Sequence, residues 1–341
     1  MTLVFTLCSN NYLAQAVTLG KSLLQHNPHY IFKIGLVDKK NPQIEYSVIP
    51  YDIIEVEDIS IPAFDEMFKR YNITELNTAV KPYYFQYFFE TCKAANKFIF
   101  LDPDILVYRP FAELEEALKE NDIIITPHLS TPINDDKILD ETDFLNSGLY
   151  NLGFLALKRG RESQKFLEWW AKRLEAKAYI NFAKGMFTDQ IWINFVPLFF
   201  KNVLIFCHPG YNMAYWNMHE RSITEGKEVI FGGTHAPLIF FHFSGYNPLQ
   251  PGILSKYQNR FSFENRSDVS NLFKEYTNLI LRNGLNYYIK HSSYYVVEKE
   301  KTELAEYIAY KKTLPIYKRM LRGIILRFIS WFKINAEYYT H

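Results

Sequence analysis

Short apolar runs alternate with helical patterns along the first half of this chain. Thr2–Leu7 reads as a strand stopped by Ser9-Asn10-Asn11, and Tyr12–Gln25 then carries Leu13, Val17, Leu19, Leu23 and Leu24 near one helical face. Asn27-Pro28 ends that helix, Tyr30–Val37 is a second strand closing at Asp38, and Tyr51–Val56 is a third. Helical patterns follow at Phe64–Tyr71 and Pro82–Cys92. The next strand lies in Asn96–Val107, and others are expected at Asp122–Thr126, Leu149–Leu157, Val203–Cys207 and Leu238–Phe243, with a helix over Gln164–Leu174. Strand–helix–strand alternation predicts an α/β fold on a mostly parallel sheet.

The pattern changes after about residue 260. Asn271–Arg282 has helical spacing, and Lys311–Lys333 is basic and amphipathic. A domain over 1–260 with a helical extension over 261–341 is expected. The tail has two readings: a terminal helix packed on the domain, or a helix lying on an anionic membrane surface.

Composition narrows the function classes. Among 341 residues, 38 Lys plus Arg balance 37 Asp plus Glu, so overall charge gives no case for nucleic acid. The three cysteines, Cys8, Cys92 and Cys207, have no zinc-site or disulfide spacing, and a reducing compartment suits them. No stretch is apolar for long enough to span a bilayer, and Leu3–Cys8 is too short for a signal peptide. A cytoplasmic location is expected.

The sharpest chemical feature is Asp102-Pro103-Asp104, which interrupts an apolar run. It reads either as an acidic turn or as hard oxygen ligands for Mg²⁺ or Mn²⁺ at a strand's carboxyl end, where α/β sheets bind ligands. His242, in the aromatic strand before Gly245, is either a core histidine or a third ligand. Thr188-Asp189-Gln190 is a helix cap or part of a site, and Asn151-x-Gly153 marks a bulge or a close ligand approach.

Taken in order, Thr6–Tyr12, Leu101–Asp104, Asn151–Gly153, Asp189-Gln190, Gly210–Asn212 and His242–Gly245 resemble the retaining glycosyltransferases of family 8, which have the GT-A fold. The likeness covers residues 1 to about 250. It implies a Rossmann-like, mostly parallel sheet and a metal held by Asp102, Asp104 and His242. It further implies a nucleotide-sugar site, for a UDP-sugar, that draws on Thr6, Leu7, Cys8, Asn10, Tyr12, Lys81, Asn151 and Gly245. Asp189 and Gln190 would act on the donor sugar, and the acceptor would be a glycan or lipid-linked glycan in surface polysaccharide or lipopolysaccharide synthesis. Two departures stand out. Pro248 occupies the place of a diphosphate-binding lysine, leaving Lys81, Arg109 or Lys256 to meet that charge, and Pro127-His128 replaces an acid. A non-catalytic nucleotide-sugar binder or assembly scaffold therefore remains open. A nucleotidyltransferase fits less well, because Cys8–Asn11 contains no glycine.

Overall fold

The computed structural model describes residues 1–313. Its centre is a seven-stranded sheet in the order β3-β2-β1-β4-β7-β6-β8. These strands are β1 (Thr2–Cys8), β2 (Ile31–Leu36), β3 (Asp52–Glu55), β4 (Lys97–Leu101), β6 (Ile123–Ile125), β7 (Phe154–Lys158) and β8 (Val203–Ile205). In this sheet β7 alone runs against the other six. The mixed, mostly parallel α/β class expected from the sequence is the one observed.

The alternation of side chains along a strand builds two cores. In β1, Leu3, Phe5 and Leu7 point to one face of the sheet, and Val4 and Cys8 to the other. Phe98 and Phe100 of β4 join the first set, and Ile99 and Leu101 the second. Burial on both faces explains why these strands are continuously apolar. Helices α2 (Phe64–Arg70), α3 (Ile73–Ala79), α4 (Lys81–Thr91) and α7 (Arg161–Lys177) contribute to the first core. Helices α1 (Leu13–His26), α5 (Ala112–Glu120), α9 (Ser270–Arg282) and α10 (Leu285–Tyr288) contribute to the second.

Between these lie α6 (Glu141–Ser147), the one-turn α8 (Val196–Phe199), and two smaller sheets. Strand β5 (Ile105–Val107) pairs with β12 (Phe240–His242), while β9 (Arg221–Ile223), β10 (Glu228–Phe231) and β11 (Thr234–Pro237) form an antiparallel set.

One compact unit covers Met1–Tyr295, and Val296–His341 forms a second. The boundary expected near residue 260 does not coincide with this division. Leu272, Phe273, Tyr276 and Ile280 of α9 are buried in the same core as β1 and α1, so α9 belongs with the sheet. Helix α11 (Tyr294–Thr313) is the last described element. The basic segment Lys311–Lys333 lies outside the described residues beyond Thr313. Among the described residues no helix is long and apolar enough to cross a membrane.

Candidate active site

The parallel strands end on one edge, and β7, running the other way, begins there. The carboxyl ends of β1, β2, β4 and β6 therefore share one edge with Asn151–Gly153, which leads into β7 between β4 and β6. Asn151-x-Gly153 was expected inside a strand; instead it forms the turn that precedes one.

The acidic motif stands at this edge. The long run through Asn96–Val107 is two strands, because β4 leaves the sheet at Asp102 and β5 turns away after Asp104. β5 pairs antiparallel with β12 and sets His242 opposite Ile105. His242 Nε2 thereby lies 3.0 Å from Asp104 Oδ1 and 3.7 Å from Asp102 Oδ2. One ligand atom from each residue falls within 4.8 Å of the others.

Backbone bonds hold the cluster. Asp102 N–H donates to Gly153 O at 2.8 Å, and Phe243 N–H donates to Asp104 O at 2.9 Å. The imidazole is 3% exposed, against 34% and 26% for the two acids, so the carboxylates open toward solvent and the ring forms their wall. Trp216 meets the ring edge-on at 5.1 Å. Gly153 is required beside it: a Cβ there would sit 2.3 Å from His242 Cε1 and 2.8 Å from Asp102 Oδ2.

These residues fit a divalent cation. The protein packed around the Asp102 carboxyl strips enough water from it to push it up, although a third of the side chain stays exposed, and Lys81 and His242 pull the other way. Burial also opposes a charged His242, yet Asp104 and Asp102 together outweigh it and the net direction is upward. A proton on Nε2 serves Asp104 at 3.0 Å but not Asp102 at 3.7 Å, whereas a cation between the three atoms serves all of them. Nδ1 of His242 is buried without a hydrogen-bond partner, so packing by Trp216 and Gly153 fixes the ring.

A buried ion pair lies beside the cluster. Lys81, the first residue of α4, places Nζ 2.7 Å from Asp189 Oδ2 and donates to Leu152 O at 2.9 Å. Both side chains are almost fully buried, and the ammonium lies over the Phe100 ring at 4.3 Å. Both charges act on Asp102. Asp189 precedes a 3-10 turn, Gln190–Phe195, yet its side chain makes no cap bond there; the carboxylate is turned to Lys81 instead. Lys81 is thus committed inside the protein rather than at an open surface.

Gln190 is bound at both ends of its amide. Oε1 accepts from Leu152 N–H at 3.2 Å, and Nε2 donates to Ser147 O at 2.9 Å. Asn151 accepts from Gly153 N–H at 3.1 Å through Oδ1 and donates to His128 Nε2 at 3.2 Å. His128 Nδ1 then donates to Leu149 O at 3.2 Å. Burial holds His128 well below the usual histidine range, at about 3, so it is the neutral tautomer with the proton on Nδ1.

Thr6, Leu7 and Cys8 sit in the core of β1, and burial pushes the Cys8 thiol up. Asn10 faces β2: its Nδ2 donates to Asp38 Oδ2 and Lys39 O, both at 2.9 Å, and its Oδ1 accepts from Tyr46. Asp38 was not singled out as a site residue from the sequence, although it closes the run Tyr30–Val37 at the same edge of the sheet. Tyr12 is exposed and opens a cleft of about 450 Å³ shared with Asp104, Gly245, Lys256 and Tyr257. Gly245 has φ +73°, and a Cβ on it would strike Ser255 and Tyr257 at 2.5 Å. Its carbonyl accepts from Lys256 N–H at 3.1 Å, placing that exposed lysine at the rim. Pro248 lines the same cleft, whereas Arg109 lies in another one with His26 and Lys227.

No family model matches the chain. YfnF, an uncharacterized protein of Bacillus subtilis (strain 168), is 25% identical over 246 residues, covering 71% of this chain and 80% of that one. The structure of galactosyltransferase LgtC in complex with donor and acceptor sugar analogs aligns with TM-score 0.47 and 16% identity, over 82% of this chain and 95% of that one. The glycosyltransferase GlyE of Streptococcus pneumoniae TIGR4 aligns with TM-score 0.45 and 18% identity, over 86% of this chain and 65% of that one. At this level of identity and superposition none of the three assigns an activity to this chain.

Proposed function

We propose that this protein is a metal-dependent glycosyltransferase that moves a hexose from a nucleoside-diphosphate sugar, with UDP as the nucleotide, to a glycan or lipid-linked acceptor. The observation that carries the reading is the Asp102–Asp104–His242 cluster at the carboxyl edge of the sheet, opening through Asp104 into a cleft lined by Tyr12 and Lys256. Two acids and one imidazole suit Mn²⁺ or Mg²⁺ and leave coordination positions for phosphate oxygens. A divalent cation held there supplies positive charge to the departing diphosphate.

The chain's own groups do the rest. Lys256 adds a second positive charge at the cleft. Tyr12 gives the base a ring to stack on, and the buried Asn10–Asp38 pair braces the turn that carries it. Asp189, held by Lys81, positions donor hydroxyls, and Gln190 lines the reacting face. Gln190 is a poor nucleophile, and both ends of its amide are engaged with backbone. That favours departure and attack on the same face of the sugar, with retention. The reading puts the enzyme in the cytoplasm, in surface polysaccharide or lipopolysaccharide synthesis.

The test is thermal denaturation of the full chain with a panel of nucleotide sugars, with and without Mn²⁺, followed by NMR of the donor. A bound donor raises the melting temperature by mass action. A metal-dependent shift, slow release of sugar to water, and loss of both in Asp104→Asn are expected. A folded protein that no nucleotide sugar stabilises overturns the proposal.

A further inference from the structure

The end of the sheet at β8 carries an apolar surface that the site does not use. Leu198 and Phe199 of α8 are 77% and 56% exposed, and Phe195 beside them is 43% exposed. The Phe195 and Phe199 rings stack at 5.2 Å. Trp169 of α7 meets Phe199 edge-on at 5.8 Å and Trp192 at 6.3 Å. Single exposed apolar residues are ordinary, but a contiguous aromatic patch marks an interaction surface.

The surroundings of this patch are cationic. The Arg173 guanidinium covers Trp169 at 4.6 Å, and Lys177 approaches Trp192 at 5.9 Å. Lys172 and Lys201 are exposed nearby on α7 and just past α8. Glu162, on the same side, is already bound by Lys165 Nζ at 2.6 Å and by Lys201 N–H at 3.1 Å. The other acids of α7 face elsewhere: Glu168 lines a cleft with Tyr83 and Tyr87, and Glu175 approaches the Tyr83 hydroxyl at 3.4 Å.

We infer that α8 with Trp169 and Trp192 is a shallow insertion surface for an anionic phospholipid bilayer. Leucine and phenylalanine at the tip, indoles behind them and cations around them match the order from acyl chain through interface to headgroup. The charge argues against a second copy of the chain. A two-fold contact through this patch would gather the Arg173 and Lys177 of both copies around one contact. The 3-10 turn that begins at Gln190 ends at Phe195, so the surface adjoins the sugar side of the site. That it serves a membrane-borne acceptor rests on the proposed function; the membrane contact does not.

The experiment is sedimentation of the full chain with vesicles of phosphatidylcholine, alone or with phosphatidylglycerol, at low salt. Wild type is expected to bind the anionic vesicles. Leu198→Asp/Phe199→Asp and Lys172→Glu/Lys201→Glu should each weaken binding at least tenfold, with the basic tail intact and the melting temperature nearly unchanged. Undiminished binding by both variants overturns the inference, as does no binding by wild type or equal binding to phosphatidylcholine alone. A wild-type dimer that Leu198→Asp/Phe199→Asp dissociates assigns the patch to a second copy and overturns it too. Donor turnover in solution, measured alongside, should be unchanged in these variants. Its absence from wild type would defeat the enzymatic reading while leaving membrane binding standing.

Discussion

Lys81 and Asp189 neutralise each other inside the protein, with Nζ 2.7 Å from Oδ2 and both side chains nearly fully buried. Removing one partner leaves an uncompensated buried charge, which costs about 3–5 kcal/mol. Asp189→Asn and Lys81→Met should therefore each lower stability to urea by that amount. Lys81→Met/Asp189→Leu should recover most of it, because an apolar pair of similar volume avoids burying charge. If Asp189 also positions the donor sugar, the recovered double variant will still lack turnover. A double variant as unstable as the worse single one, or one that regains activity, contradicts this division of roles.

Gly153 leaves room for His242 and Asp102 to meet. A methyl group at Gly153 would fall 2.3 Å from His242 Cε1, so Gly153→Ala must move the imidazole or the backbone. Overpacking of this kind costs about 1–3 kcal/mol in stability. The larger effect should be on Mn²⁺ affinity, expected to fall more than tenfold by titration calorimetry. Equal affinity in the variant would place the metal away from this ring.

His128 should contribute to acid sensitivity. Burial lowers its folded pKa to about 3, below the ordinary value of 6.5. Between these values the unfolded chain binds a proton that the folded chain refuses. The contribution to stability is thus complete above 6.5 and is lost as the pH falls toward 3, by at most about 1.4 kcal/mol per pH unit. Melting temperatures measured from pH 8 to 4 should fall less steeply for His128→Gln than for wild type. Parallel curves would mean that His128 titrates normally.

The sequence carried the sheet and the two acids of the Asp102–Asp104–His242 group because both depend on local signals. β1 and β4 are buried on both faces and read as nearly unbroken apolar runs, and Asp102 follows β4 directly. Asp189 was harder to read. A cap and a buried ion pair look alike when the partner, Lys81, is over a hundred residues away at the start of another helix. The strand end at Asp102 was legible from the two acids, but the separate strand β5 and its pairing with β12 were not, because that pairing joins segments far apart in the chain. The place of α9 in the main core was hidden too, since a helical repeat shows which face is buried but not against what.

Lys256 is expected to carry the diphosphate charge. Pro248 cannot, and it lines the same cleft as Asp104 and Lys256. Lys81 is committed to Asp189, and Arg109 stands in a different cleft. The exposed Lys256 side chain lies over Tyr257 at 5.0 Å, so its removal disturbs little of the core. Lys256→Ala should weaken UDP binding by about 1–2 kcal/mol, roughly five- to thirtyfold, while leaving uridine affinity and the melting temperature almost unchanged. Raising salt should weaken UDP binding to wild type more than to the variant, because the variant has lost a screened charge. Calorimetric titration of both proteins with UDP, UMP and uridine decides it. A uniform loss across all three ligands would mean that the Lys256 side chain only shapes the cleft wall, through its packing on Tyr257, and does not meet the phosphates. No loss for any of them would leave the diphosphate to the metal cluster alone.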